Sequence, residues 1–335
     1  MAKTVIPNGY QSKLDLYETQ TAIGEIKNQF AQNLSRALNL KRVSAPLFVD
    51  PNTGLNDDLN GIERAVSFDI KATGTDAHIV HSLAKWKRMA LYRYDFHPGN
   101  GLYTDMNAIR RDEDMDNIHS IYVDQWDWEK VITAEDRTVD YLKQVVRDIV
   151  GAIADTADFV TNRHPGLGLD ICRDVHFVTT QELEDLYPDL TGKERERAIT
   201  RKYKTVFVMQ IGDVLKSGKK HDGRAPDYDD WALNGDILFW NEVLDDALEL
   251  SSMGIRVDAK SLDEQLKKSG CDARRTLPFH KALLNNELPL TIGGGIGQSR
   301  LCMLLLKKAH VGEVQVSIWD ADTVSTCAAA NVELL

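Results

Sequence analysis

Apolar residues recur along the first part of the chain at helical intervals. Leu16, Ile23, Ile26, Phe30, Leu34 and Leu38 stand three, four or seven positions apart, which lines them along one face of a long helix over residues 16–40. VSAPLFV follows as an extended segment, with Pro46 suited to an edge or a strand end. DPNTGLNDDLNG (50–61) is polar and turn-rich, and VSFDI (66–70) reads as a strand. AHIVHSLAKWKRMAL reads as a strand running into a basic helix. GLYTDMNAI and HSIYVDQWDWE read as strands joined by the charged turn RRDEDMDN. Tyr141, Val145, Ile149 and Ile153 mark an amphipathic helix over 135–160, and TVFVMQI (205–211) a strand. KKHDGRAPDYDDWALNG is a long polar loop, a length often kept for function. DILFW and DALELS are strands across a short turn. Helices are expected at 261–269 and 277–286, then a glycine segment, a helix at 299–308 and a last strand, VQVSIW.

Strands often follow one another directly. That favours an α+β fold, a mainly antiparallel sheet flanked by helices, over a doubly wound parallel one. No repeat, low-complexity tract or linker divides the chain, so residues 1–335 are expected to form a single domain.

Composition narrows the setting. Hydrophobic residues make up 43% and charged residues 27% of the 335, enough for an ordinary core. No apolar run reaches membrane-spanning length, and the start, MAKTVIPNGYQSK, lacks the apolar core of a signal peptide. Cys172, Cys271, Cys302 and Cys327 form no CxxC pair, which points to a reducing cytoplasm without a zinc or disulfide framework. The net charge of −11 opposes a broad nucleic-acid surface and leaves room for a small anion in a local cationic pocket.

TIGGGIGQSRLCMLLL (291–306) is the strongest chemical signal. It has no GK[ST] and so is no P-loop; Gln298 stands where a dinucleotide fingerprint needs its last glycine. What remains is GxGxGxxR, from Gly293, Gly295, Gly297 and Arg300. Glycines let a strand pass tightly beneath a planar or charged ligand. Arg300 falls in a first helical turn, where the dipole disfavours a cation unless an anion also arrives; a flexible turn with a solvated arginine is the plainer alternative.

In HSIYVDQWDWE a period of two places Val123, Gln125, Asp127 and Glu129 on one face, and Asp124, Trp126 and Trp128 on the other. The tryptophans mark the packed face. The polar face is either a site or simply solvated. Arg110, ending the partner strand, could grip a phosphate or carboxylate bidentately. Asp236 and Glu249, on strands that would pair, could approach one Mg²⁺ together with substrate phosphates. The HSLAKWKR helix offers Lys85, Lys87 and Arg88, with a solvated basic face as the expectation for Arg88.

Together these residues resemble the three signature motifs of class II aminoacyl-tRNA synthetases. The long helix and the strand at Pro46 look like the first, a dimer-interface element; Arg110 with the following strand looks like the second; GGGIGQSR looks like the third. More narrowly, HSLAKWKR, GLYT, VDQWDWE, RAPDYDDW, LNGDIL, ELSSMGIRVD and TIGGGIGQSRL resemble the asparagine synthetase A family of ammonia-dependent aspartate–ammonia ligases, from about Gln20 to Asp320. The resemblance implies a class II synthetase-like catalytic domain and a homodimer. It implies that L-aspartate and ATP·Mg²⁺ give β-aspartyl-AMP and pyrophosphate, and that ammonia then yields asparagine and AMP. By the same resemblance, Arg110 and Arg300 serve the phosphates, Gly293, Gly295 and Gly297 floor the nucleotide, and Asp236 and Glu249 hold the metal. Lys87 would meet a substrate carboxylate, Asp127 and Asp229 its ammonium, and Gln125, Ser82 and Ser252 would hydrogen-bond it. Asp57 would orient or deprotonate ammonia. Two departures stand out: the RRDEDMDN turn is shorter than the family pattern, which bears on that turn alone, and the KKHDGRAPDYDDWALNG loop is short before ALNG, so a lid formed by that loop would close differently.

Three rivals are weaker. An aspartyl-tRNA synthetase needs an anticodon-binding module, for which the early start of the first helix leaves no room. A glutamine-dependent synthetase needs an N-terminal cysteine nucleophile, and position 2 is alanine. A catalytically dead paralogue would lack the phosphate arginines or metal acids, and here all four are present.

Overall fold

The computed structural model describes residues 4–57 and 63–335. Its elements in chain order are α1 (Leu16–Leu38), β1 (Leu40–Arg42), β2 (Phe48–Val49), β3 (Ser67–Ile70), β4 (Thr75–Ile79), α2 (Ala84–Arg93), β5 (Gly101–Ile109), β6 (Tyr122–Val131), α3 (Val139–Arg163), β7 (His176–Thr179), α4 (Thr180–Leu186), α5 (Gly192–Tyr203), β8 (Thr205–Met209), β9 (Asp229–Asn241), β10 (Asp246–Arg256), α6 (Ala259–Lys268), α7 (Pro278–Leu284), β11 (Thr291–Gly297), α8 (Gln298–Leu305) and α9 (Ala321–Ala329).

The main sheet has eight strands in the order β1-β5-β6-β11-β10-β9-β8-β7. The six strands from β5 to β8 pair antiparallel, whereas β1 joins β5 and β7 joins β8 in parallel. The fold is therefore α+β with a mixed sheet, which corrects the expectation of a mainly antiparallel one. The parallel edges arise because each edge strand reaches its partner through a helix rather than a hairpin, α2 after β1 and α4 with α5 after β7. A small sheet, β2-β4-β3, stands apart.

Helix α1 starts where Asp15 and Glu18 form a capping box and stops at Asn39, which takes the left-handed conformation (φ 59°). Its apolar stripe packs with α3 against the tryptophan face of β6; Phe30 meets Trp126 edge-on at 4.6 Å, and Trp126 and Trp128 are buried. The stripe from Ala22 to Leu38 is thus consumed within this chain, so it does not by itself supply a dimer surface.

Three expectations change. VQVSIW forms no strand; it follows a 3₁₀ turn (Val311–Glu313) as irregular chain with Val316 and Ile318 exposed, because β11 already has β6 and β10 on both sides. Strand β9 begins at Asp229, absorbing the WALNG residues read as loop. Helices α4 and α5 lie where no helix was expected; each starts with a Thr–Glu capping box. Among the described residues no helix is long and apolar enough to cross a membrane.

Candidate active site

The face of β6 opposite the tryptophans carries Gln125, Asp127 and Glu129, and β11 pairs beside it with Gly293 opposite Glu129, Gly295 opposite Asp127 and Gly297 opposite Gln125. A Cβ on Gly293 would overlap the Glu129 carboxylate, and one on Gly295 would overlap the Gln125 amide. The glycines are required because polar side chains of β6 lie across the backbone of β11. Gly295 and Gly297 border a cavity of about 380 Å³. Gly293 does not; it is set back beneath Glu129, which corrects its assignment to the nucleotide floor.

That cavity is bordered by every other residue to which the family resemblance gives a role: Asp57, Ser82, Lys87, Arg110, Gln125, Asp127, Asp229, Asp236, Glu249, Ser252 and Arg300. They arrive from α2, β6, β9, β10, α8 and loops, among them the one that follows β5, and converge on one cavity.

One end is a dry charge network. The Lys87 ammonium, fully buried, donates to Asp127 and to the carbonyls of Trp128 (2.9 Å) and Gly294 (3.2 Å). Arg256 grips Glu129 through Nε (3.1 Å) and Nη2 (2.8 Å) and also binds Asp229; Thr291 adds a hydroxyl to Glu129 at 2.7 Å. Arg224 spans Asp236 (2.6 Å) and Ser252. Burial lowers the Lys87 pKa and raises that of Asp127, with the mutual attraction of the pair opposing both shifts. Burial also pushes Glu129 up, but Arg256 and Lys87 outweigh it and hold the carboxyl below its usual range.

The other end gathers phosphate-type chemistry. Arg110 follows β5, and its buried Nε has no hydrogen-bond partner among the described residues. Arg300 sits in the first turn of α8 and donates to the carbonyls of Ile118 (3.2 Å) and Glu249 (2.8 Å). His119 borders the cavity with Nδ1 held 2.9 Å from both Asp116 oxygens. A bulge in β10 between Glu249 and Ser251 explains the spacing of its polar residues. Ser251 drops out of the face, and Ser252, opposite Asp236, joins Glu249 at the cavity. Burial, and then the charge of Glu249, raise Asp236 to about 6 against the pull of Arg224. Burial pushes Glu249 up too, but Arg300, Lys193 and Arg224 overcome it and leave it below the ordinary range.

Among the described residues no three His, Cys, Asp or Glu side chains are grouped to hold a metal ion. Asp236 and Glu249 nonetheless fit Mg²⁺ bound partly by substrate. Both offer oxygens, their mutual repulsion would be relieved by a cation, and Mg²⁺ is commonly held by one or two carboxylates plus phosphates.

Asp57 is buried and accepts from Ser82 Oγ at 3.0 Å, while its carbonyl lies 2.9 Å from His81 Nδ1; the NDDLNG loop beyond it, from residue 58, lies outside the described residues. Arg88 departs from expectation. It is buried and donates to the carbonyls of Pro289 (2.9 Å) and Val257 (2.6 Å), because α2 is wedged against the chain that follows α7 and β10. Arg224, Arg256, Glu129 and His119 had no assigned role in the sequence. Arg224 and Arg256 did lie inside RAPDYDDW and ELSSMGIRVD, where an arginine beside several acids was the available signal.

Residues 17–331 match the family model described as aspartate-ammonia ligase. The chain belongs to the aspartate–ammonia ligase family. Relatives named aspartate–ammonia ligase include one from Ruminiclostridium cellulolyticum, 60% identical over 100% of both chains, and one from Bacillus cytotoxicus, 58% identical over 97% of this chain and 99% of its own. The enzyme is thus a ligase that makes asparagine from aspartate. Among solved structures it is similar to the asparaginyl-tRNA synthetase of Entamoeba histolytica in complex with asparaginyl-adenylate (TM-score 0.60, 13% identity, 90% of this chain and 66% of that one). It is also similar to the aspartyl-tRNA synthetase of the same organism (TM-score 0.61, 16% identity, 90% of this chain and 59% of that one). At such identities the likeness shows the fold, that of a class II synthetase catalytic domain, and the chain spans two thirds or less of those synthetases.

Proposed function

We propose that the enzyme joins aspartate to ammonia through β-aspartyl-AMP, releasing pyrophosphate in the first step and AMP in the second. The observation that carries this reading is the meeting, in one cavity, of a phosphate-type end (Arg110, Arg300, Asp236, Glu249) with an amino-acid-type end (Lys87, Gln125, Asp127, Arg224, Asp229). The adenylate-bound asparaginyl-tRNA synthetase with the same fold supports it.

In the first step an oxygen of the aspartate β-carboxylate attacks the α-phosphorus of ATP, and the bond to pyrophosphate breaks. Charge grows on the phosphate oxygens, and Arg110 and Arg300 stabilise it from fixed positions. Mg²⁺ held by Asp236 and Glu249 would supply Lewis-acid neutralisation of the phosphates. At the other end Lys87 and Arg224 take the substrate carboxylates, Asp127 and Asp229 its ammonium, and Gln125, Ser82 and Ser252 its remaining polar atoms. In the second step ammonia attacks the β-carbonyl carbon, AMP leaves with the bonding pair, and the Asp57 carboxylate accepts the proton released from nitrogen. Free ammonia is the nitrogen donor in this reading. We take residues 1–335 as one catalytic domain working as a homodimer in the cytoplasm. The continuous sheet supports the first point, the family resemblance the second, and the four unpaired cysteines the third.

The test is an endpoint assay with ATP, Mg²⁺, aspartate and either NH₄Cl or glutamine, resolving AMP from ADP. Asparagine with AMP from ammonia alone is the expected outcome. ADP would replace the adenylate with an acyl phosphate and overturn the mechanism.

A further inference from the structure

The first residues of the chain precede the stretch matched by the family model and have no part in the site described above. They are nonetheless tied to its nucleotide end. Thr4 shares a hydrogen bond with Thr323 (2.8 Å). The Val5 backbone pairs with the Asn117 side chain as if with a strand: Val5 N–H donates to Asn117 Oδ1 at 2.9 Å, and Asn117 Nδ2 donates back to the Val5 carbonyl at 2.8 Å. Tyr10 donates to Glu313 (2.8 Å), and Ser12 accepts from Lys308 (2.6 Å).

Asn117 is where these ties converge on the cavity. Its Nδ2 also donates to the Ala309 carbonyl at 2.7 Å, and its own carbonyl accepts from Val311 N–H at 2.8 Å. The next residue, Ile118, offers the carbonyl that receives Arg300 Nε, and the one after it is His119, which borders the cavity. Glu313 closes the arrangement from behind, accepting the backbone N–H groups of Ala309 and His310 as well as Tyr10. A single peptide therefore separates the anchor of the N-terminal segment from an arginine that must keep its aim.

We propose that residues 4–13 are a strap that holds the nucleotide end of the cavity in shape, with Asn117 as the positioning residue through which the strap acts on Arg300. A guanidinium displaced by a fraction of an ångström loses much of its value to a phosphate. The strap thus acts on nucleotide binding and leaves the aspartate end, built on α2, β6 and β9, untouched. The inference rests on the reading that Arg300 meets ATP.

The experiment compares the parent chain with Asn117→Ala, Tyr10→Phe and a chain lacking residues 1–12. Calorimetric binding of ATP·Mg²⁺ without aspartate, the KM for each substrate and the melting temperature are measured for each. Asn117→Ala and the shortened chain should weaken ATP binding and raise the ATP KM roughly tenfold, with the aspartate KM within about twofold of the parent. Unchanged ATP binding in a folded Asn117→Ala would overturn the strap; so would equal rises in both KM values with a lower melting temperature, the mark of general loosening. If the shortened chain does not fold, the two point variants decide. A parent that binds no ATP at all would remove the site reading and the strap together, whereas a binding parent with unaffected variants removes the strap alone.

Discussion

A buried carboxylate of the site and the buried cluster behind the nucleotide end meet burial in opposite ways, although burial displaces the carboxylate's neighbours Lys87 and Asp127 toward their neutral forms. In the site, Glu129 is pressed beneath the sheet surface yet held below its usual pKa, because Arg256 and Lys87 stand against it. Behind the nucleotide end, Tyr10, Lys308, His310 and Glu313 are also packed away, and each is displaced toward its neutral form. Desolvation lowers Lys308, takes His310 down to about 4, and raises Tyr10 and Glu313. Desolvation is the largest influence in both places. The difference is the supply of countercharge: two cations face one carboxylate in the first, while in the second Lys308 and Glu313 stay 4.0 Å apart and neutral hydrogen bonds do the rest. A buried charge is costly to hold, and at Glu129 it is held beside the cavity where an ionic substrate has to bind.

The contrast can be broken hardest at Arg300. Replacement by alanine removes a charge from the transition state while the core stays intact, and should slow AMP formation about 10⁴-fold, roughly 5.5 kcal/mol. An AMP-release time course on a variant with parental melting temperature checks it. A loss under tenfold would take Arg300 out of the phosphate site.

Glu129 comes next. Truncation to alanine leaves Arg256 buried with only Asp229, and leaving a buried charge without its partner costs about 3–5 kcal/mol. Urea unfolding should show that loss, together with a raised aspartate KM. Glu313→Gln, which keeps a polar group among hydrogen bonds and a cation 4.0 Å away, should cost about 1 kcal/mol or less in the same experiment. If the two changes cost the same, countercharge is not what separates the regions.

Gly293→Ala probes the same point from the backbone. The new methyl must push Glu129 aside, an overpacking cost of about 1–3 kcal/mol. Shortening the acid as well, in Gly293→Ala with Glu129→Asp, should cost less than the sum of the single changes.

Much of the site was legible because its residues obey a strand's period of two. Gln125, Asp127 and Glu129 alternate with Trp126 and Trp128, and the structure assigns those faces to the site and the core. The glycine run was legible as a place of close approach, but not what approaches, since Glu129 and Gln125 come from a strand more than a hundred residues earlier. Ser252 reaches the same cavity as Glu249, three residues away, only because a bulge, invisible in composition, shifts β10 by one residue. The cluster behind the nucleotide end was illegible for a different reason. Val314, Val316 and Ile318 alternate with polar residues as a strand would, yet β11, the strand before them in the chain, is already paired on both sides, by β6 and β10, and which strands keep a free side is a property of the whole topology. The mixed character of the sheet escaped likewise, since β1 and β7 are short and their partners are fixed by crossovers.

The smallest expected effect is also the one with a definite sign in pH. His310 Nδ1 accepts the Gly312 N–H at 3.0 Å, so the ring is neutral in the folded chain, and burial lowers its pKa from 6.5 to about 4 despite the charges of Asp116 and Asp320. Between those values the unfolded chain binds a proton that the folded chain does not. Stability supplied by His310 is therefore complete above pH 6.5 and is lost as pH falls toward 4, amounting to about 1 kcal/mol by pH 5.5. The substitution His310→Asn offers an amide oxygen as acceptor near the place of Nδ1 but introduces nothing that titrates. The variant should lose about 1 kcal/mol less than the parent between pH 7.5 and 5.5 in parallel urea titrations. Equal losses would assign the acid sensitivity to other groups and would mean that the second region is not held by neutral hydrogen bonding as its geometry indicates.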